Sequence, residues 1–143
     1  FNNRGFSYKS KGQSTAHLDY DQATKLNPKD GTSFNHRCYL RAQIGQLQPA
    51  LADCNEALRL SPNDAAILDS RGYTYLKLNL LDLAISDYDA ALKLNPNLAT
   101  SLFGRGVAKS KKGDIAGGDD DIAAAKAVKA DITDVMAKLG VQP

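Results

Sequence analysis

Four arginines and four aspartates recur in step along this chain: Arg4, Arg37, Arg71 and Arg105, with Asp19, Asp53, Asp87 and Asp121. A guanidinium and a carboxylate match each other bidentately and suit a narrow seam between helices. The two columns are expected to form a ladder of partly buried ion pairs, structural rather than catalytic. Whether each arginine pairs within its own unit or with the preceding one is left open. Other reactive residues are sparse. His17 and His36 have no Cys or carboxylate at metal-ligand spacing. Gly117-Gly118 before Asp119-Asp120-Asp121 suggests a calcium loop, but the spacing does not fit an EF-hand, and acids near a helix start are favoured by the dipole. Cys38 and Cys54 are too few for a disulfide scaffold and match no zinc pattern. They are expected to be two buried free thiols, with a bridge as the alternative in an exported protein. Lys109, Lys111 and Lys112 are read as a helix-dipole interaction, with an acidic partner as the alternative. The chain is therefore read as a non-enzyme with no cofactor and no metal.

The elements that position these residues follow from a repeat. Leu26-Asn27-Pro28, Leu60-Ser61-Pro62 and Leu94-Asn95-Pro96 stand at equal intervals (28 to 62, then 62 to 96). A fixed period within the range of ~20–50 residues marks a solenoid whose units stack only on their neighbours. Small residues recur at Gly5, Cys38, Gly72 and Gly106, at Ala16, Ala50, Ala84 and Gly118, and at Ala23, Ala57, Ala91 and Ala125. Between them stand Gly12, Gly45, Asn79 and Gly113, residue types that tolerate a left-handed cap. Apolar residues at three- and four-residue steps, as in Leu81, Ile85, Tyr88 and Leu92, predict helices. The pattern places them at 1–11, 14–26, 31–44, 47–60, 65–78, 81–94, 99–112 and 115–128, with a ninth at 131–139.

The 143 residues fit one short array: a truncated repeat at 1–30, repeats at 31–64 and 65–98, a degenerate one at 99–130, and a capping helix at 131–139. A net charge of +2, with no basic run interleaved with aromatics, excludes a nucleic-acid partner, and no apolar run approaches the ~20 residues of a membrane span. The chain begins at Phe1 without an initiator Met and is read as a fragment whose upstream sequence is missing. Its compartment, bacterial cytoplasm or periplasm, is left open.

Leu68, Gly72, Tyr75, Ala84, Tyr88, Ala91 and Pro96 have a spacing that resembles the tetratricopeptide repeat, bacterial-type, and the resemblance covers nearly the whole chain. It implies an all-α, right-handed superhelical solenoid of antiparallel helix pairs with a C-terminal capping helix. It also implies a protein–protein interaction scaffold whose first helices line a concave groove. The groove positions it implies are Asn2, Phe6, Lys9 and Ser10; Thr32, Asn35, Tyr39, Ala42 and Gln43; Ala66, Asp69, Tyr73, Leu76 and Lys77; and Thr100, Phe103, Val107, Ser110 and Lys111. Phe6, Tyr39, Tyr73 and Val107 form one column, with Phe103 nearby. They are expected to be exposed to an extended peptide, the alternative being that the phenylalanines are hairpin core. Some members of the family clamp a C-terminal carboxylate with Lys, Asn and Arg. Asn2, Phe6, Asn35 and Thr100 in the corresponding stripe lack the basic residues for that ligand.

The sequence departs from the family in four places. The arginine column stands where leucine is usual. The step from Arg4 to Arg37 is one position shorter than the step from Asp19 to Asp53, so the first unit carries a deletion near Gly12–Thr15. Its unpaired face is a candidate surface for a homo-oligomer, and an oligomerisation module or an accessory domain of a larger protein is the alternative reading. Gly117-Gly118 costs about 1 kcal/mol per glycine against alanine inside a helix. Ala130 replaces the closing proline, so 115–128 is expected to run almost continuously into the last helix.

Overall fold

In this computed structural model, which describes residues 13–27 and 29–143, with side chains from Tyr20 onward, the described residues form eight α-helices and no strand. They are α1 (Gln13–Leu26), α2 (Gly31–Gln43), α3 (Leu47–Leu60), α4 (Ala65–Lys77), α5 (Leu81–Leu94), α6 (Ala99–Lys111), α7 (Ile115–Val128) and α8 (Ile132–Lys138). The expected helix at 1–11 lies outside the described residues, as do Asn2, Arg4, Phe6, Lys9 and the side chains of His17 and Asp19. The proposed N-terminal oligomer face lies there too; of the stretch assigned to the deletion, Gly12 lies outside and Gln13–Thr15 belong to α1.

Helices α2 and α3, α4 and α5, and α6 and α7 pack as antiparallel pairs, and α2, α4 and α6 touch each other in sequence. The left-handed residues are those expected: Gly45 at φ 87°, Asn79 at φ 60° and Gly113 at φ 100°. After α2, Gln46 N–H donates to the Arg41 carbonyl and Gly45 N–H to that of Ala42. This double bond pattern satisfies carbonyls the helix end would otherwise strand. The turns after α4 and α6 repeat it, and so does the end of α8, where Gly140 has φ 77°. Asp30 and Asp64 cap the starts of α2 and α4.

The expected continuity of α7 into α8 is not observed. Lys129 is extended, at φ −141° and ψ 105°, and it redirects the chain. The redirection buries Ile132 and Met136 against the stack, a gain that a straight helix running on past the last pair would forgo.

Within each pair, residue i on the first helix faces residue i+16 on the second. Arg37 bonds both oxygens of Asp53 (2.9 and 2.7 Å), Arg71 those of Asp87 (2.7 and 2.8 Å), and Arg105 those of Asp121 (2.8 and 2.8 Å). Each arginine also reaches residue i−16 of the preceding unit: Asp21 from Arg37, Asn55 from Arg71, Asp89 from Arg105. The guanidiniums thus join hairpins as well as the helices within them. Arg41 and Lys109, one turn beyond Arg37 and Arg105, add second cations to Asp53 and Asp121. Burial disfavours the charge on Asp121, yet the bonds from Arg105 and Lys109 outweigh it and hold this carboxyl below its usual range. Lys112 meets Asp82. Lys109 and Lys112 are therefore paired with carboxylates rather than left to the helix dipole.

The expectation of free thiols is corrected: Cys38 and Cys54 form a disulfide, and both residues are fully buried. The reason is the same i to i+16 offset, which places the two sulfurs across the seam of the α2–α3 pair. Gly72 faces Tyr88 and Gly106 faces Ile122 at the equivalent places.

The glycines of α7 also need a revised account. A Cβ on Gly118 would sit 2.6 Å from the Gly106 carbonyl oxygen and would collide with Ser110 Oγ. Close approach of α6 and α7 therefore requires a glycine there, and the propensity cost is secondary. Gly118→Ala is expected to destabilise the chain by about 1–3 kcal/mol, because overpacking a tight seam outweighs the helix-propensity gain. Thermal melts by circular dichroism check this, and an increased midpoint would show that α6 and α7 can separate freely.

Candidate functional site: the concave groove

Helices α2, α4 and α6 carry the described groove candidates, and the structure divides them into three sets. Tyr39, Asp69 and Tyr73 meet around one small cavity together with Tyr88, Thr100, Met136 and Leu139. Lys77, Val107 and Lys111 line a second, open cleft of about 460 Å³ with Leu76, Asn79 and residues 140–143. Asn35, Gln43 and Phe103 line neither. Phe103 is wholly buried and is hairpin core, and Asn35 Oδ1 is buried with no hydrogen-bond donor among the described residues.

The expected exposed aromatic stripe is corrected. Tyr73 is 2% exposed and Val107 0%, while Tyr39 is half-buried. The chain's own C-terminal segment covers them. Helix α8 packs on α6 and α7. Its end crosses to α4, where the Tyr73 hydroxyl donates to the Leu139 carbonyl at 2.7 Å. Val141, 3% exposed, belongs to the same core cluster as Leu76 and Val107. A seven-residue helix capped by Gly140 is short enough to let the chain turn inward.

The small cavity is the electrostatically unusual part. Asp69 Oδ1 accepts from Ser101 Oγ at 2.5 Å and Thr100 Oγ1 at 3.1 Å. Asp69 as a whole residue is partly exposed, yet burial of its carboxyl pushes the pKa up to about 6 against the opposing effect of those two hydrogen bonds. The folded chain therefore holds this proton more tightly than the unfolded chain does. The resulting stability is present below about pH 4 and is lost as pH rises to about 6. The rings of Tyr39 and Tyr73 lie 5.5 Å apart, tilted by 45°. Burial first, then the charge of Asp69, lifts the Tyr39 hydroxyl to about 12. Tyr88 is held between Gly72 and Gly104, where a Cβ would strike its ring. Burial, then the Asp69 charge, raises its hydroxyl well above the ordinary value.

Sequence reasoning did not single out Tyr88 as a groove residue, nor Ser101, Met136, Leu139 or Val141. Tyr88 had a readable signal, since it stands at the same offset from Gly72 as Asp87 does from Arg71. The C-terminal residues had none, because they lie beyond the repeat.

Residues 72–113 match the family model described as TPR repeat. The chain has the tetratricopeptide-repeat fold. TTC0263, a thermophilic TPR protein of Thermus thermophilus, superposes with a TM-score of 0.86 at 20% identity, covering 96% of this chain and 78% of that one. MamA gives 0.75 at 17% identity over 95% and 80% of the two chains. The first TPR of Spaghetti (RPAP3), solved bound to an HSP90 peptide, gives 0.73 at 21% identity over 78% and 90%. No curated protein sequence matches the chain. The tetratricopeptide fold accounts for the stacked pairs and for an inner face built from α2, α4 and α6. It is a fold of interaction modules, and among the described residues no helix is long and apolar enough to cross a membrane.

Proposed function

We propose that this tetratricopeptide array is a non-catalytic scaffold that holds a polypeptide partner in the groove lined by α2, α4 and α6. One observation carries the reading: the groove already takes a stretch of polypeptide, the chain's own residues 139–141, through a hydrogen bond to a backbone carbonyl and burial of an aliphatic side chain. Those contacts read main chain and apolar surface rather than a specific sequence, as extended peptide recognition does. The RPAP3 domain binds its HSP90 peptide on the same fold. The corresponding stripe here, Asn2, Phe6, Asn35 and Thr100, lacks the basic residues that a carboxylate clamp needs, so a different peptide chemistry is inferred.

Pull-down with the immobilised full chain, read by mass spectrometry, tests the groove. Tyr39→Ala combined with Tyr73→Ala is expected to lose at least tenfold of the captured partner, since each aromatic contact contributes about 1–2 kcal/mol. Arg59→Ala, an exposed pair partner of Glu56, should capture normally. Undiminished capture by the double tyrosine variant, with helicity intact, would reject the groove as the binding face.

A further inference from the structure

Asp69 differs from Asp53, Asp87 and Asp121, the three aspartates of the described chain that are most deeply buried. Each of those is gripped by a guanidinium. Among the described residues, Asp69 receives two hydroxyl hydrogen bonds, both on Oδ1. Among the described residues, the groups around it come from several elements. Tyr39 comes from α2, Tyr73 from its own helix, Tyr88 from α5, Thr100 and Ser101 from α6, Met136 from α8 and Leu139 from the C-cap that follows it. No basic side chain is among them. A second observation points the same way. The Tyr88 hydroxyl is buried without a hydrogen-bond partner among the described residues, and Tyr88, 1% exposed, is one of the residues that line this cavity. The cavity measures about 10 Å³, room for one water. Its roof is the apolar pair Met136 and Leu139, which offers the carboxylate nothing.

Carboxylates held away from water without a counter-charge work against the fold. Concentrated at one point of a groove, such a group marks a binding position. Three tyrosines around a carboxylate form a recognisable chemistry. Ring faces attract a cation through their quadrupoles, most strongly where water is excluded, and the carboxylate supplies the full charge.

We propose that Asp69, Tyr39, Tyr73 and Tyr88 form a subsite for one cationic side chain, lysine or arginine, of the polypeptide bound in the groove. That side chain enters by displacing Leu139. The inference rests on the groove reading above and adds the partner's chemistry to it. In the resting chain α8 and Leu139 close the subsite with an apolar plug. A partner carrying a basic residue replaces that plug with a charge, so it competes with the chain's own C-terminal segment on terms that an uncharged peptide lacks. The orphaned Tyr88 hydroxyl then has a polar neighbour.

A cation delivered in cis tests this on the full chain without an identified partner. Leu139→Lys places an ammonium at the mouth of the cavity, and Leu139→Gln is its uncharged counterpart. In Leu139→Lys the Asp69 carboxyl, followed by carbon NMR, is expected to titrate about one pH unit or more below its position in Leu139→Gln. Leu139→Lys should also melt at a higher temperature than Leu139→Gln near pH 7.5. The advantage should vanish near pH 4.5 and in an Asp69→Asn background. Coincident titrations, or a melting order that ignores Asp69, would overturn the subsite. Partner capture separates this from the wider reading. If Asp69→Asn captures the partner as well as the native chain while the double tyrosine variant does not, the groove stands and the cation subsite falls.

Discussion

Arg71→Ala is expected to lower the stability of the chain by about 3–5 kcal/mol, and by more than either Arg37→Ala or Arg105→Ala. The three arginines occupy the same place in their hairpins, so a count of hydrogen bonds does not separate them. What separates them is the carboxylate left behind. Asp87 is 5% exposed, and Arg71 is the one cation bonded to it among the described residues. Its removal strands a buried charge, aggravated by loss of the Arg71 contact with the Tyr75 ring. Asp53 would keep Arg41 at 2.8 Å, and Asp121 would keep Lys109 at 3.0 Å. The bond to Asp87 raises the pKa of Arg71 and outweighs the opposing effect of burial. The guanidinium therefore stays charged at any working pH, and the pair cannot escape by proton transfer. Urea denaturation of the three variants, followed by circular dichroism, gives the order directly. Equal losses would mean that the second cations contribute nothing. An unchanged curve for Arg71→Ala would mean that the ladder is decoration on a seam held by apolar packing.

The order of these effects could have been read from the sequence, with one more step. Arg37, Arg71 and Arg105 and their aspartates were visible as columns because charged residues at a fixed offset stand out against an apolar seam. The offset itself carried more information. Applied backwards it finds Asp21, Asn55 and Asp89, the partners in the preceding units. Applied one residue along it finds Cys38 and Cys54. The turns were legible for a different reason: Gly45, Asn79 and Gly113 are the residue types that a left-handed φ admits. Gly118 was misjudged because propensity describes an isolated helix, whereas the distance to the Gly106 carbonyl is set by the neighbouring one. The covered groove was not legible at all. Residues 129–143 lie outside the periodicity, so no column told where Leu139 and Val141 would settle. The unusual state of Asp69 depends on that covering together with α5 and α6. An aspartate in a first helix reads as an ordinary polar residue until its neighbours from four other helices are in place.

The disulfide gives the second large effect. Breaking it, by reduction or by Cys38→Ala with Cys54→Ala, is expected to destabilise the chain by about 3 kcal/mol, the loop-closure value for a short loop such as the one closed here, with a sequence separation of 16. Where the α4–α5 pair fills the seam with a tyrosine ring against glycine and the α6–α7 pair with isoleucine against glycine, the α2–α3 pair has two sulfurs. Two alanines would leave that seam underfilled, so the double substitution is expected to cost somewhat more than reduction does. Both cysteines are 0% exposed, so a reductant reaches the bond only when the hairpin opens. The reduction rate should then follow unfolding and rise steeply with urea, while an exposed bond would be reduced at a rate independent of it. Intact mass before and after reduction under denaturing conditions gives the oxidation state, a two-hydrogen difference marking the bond. The same chain produced in a reducing and in an oxidising compartment should differ by that mass and by the full stability increment. A chain with identical melting curves in both states would show that the sulfurs merely fill the seam as two small apolar groups.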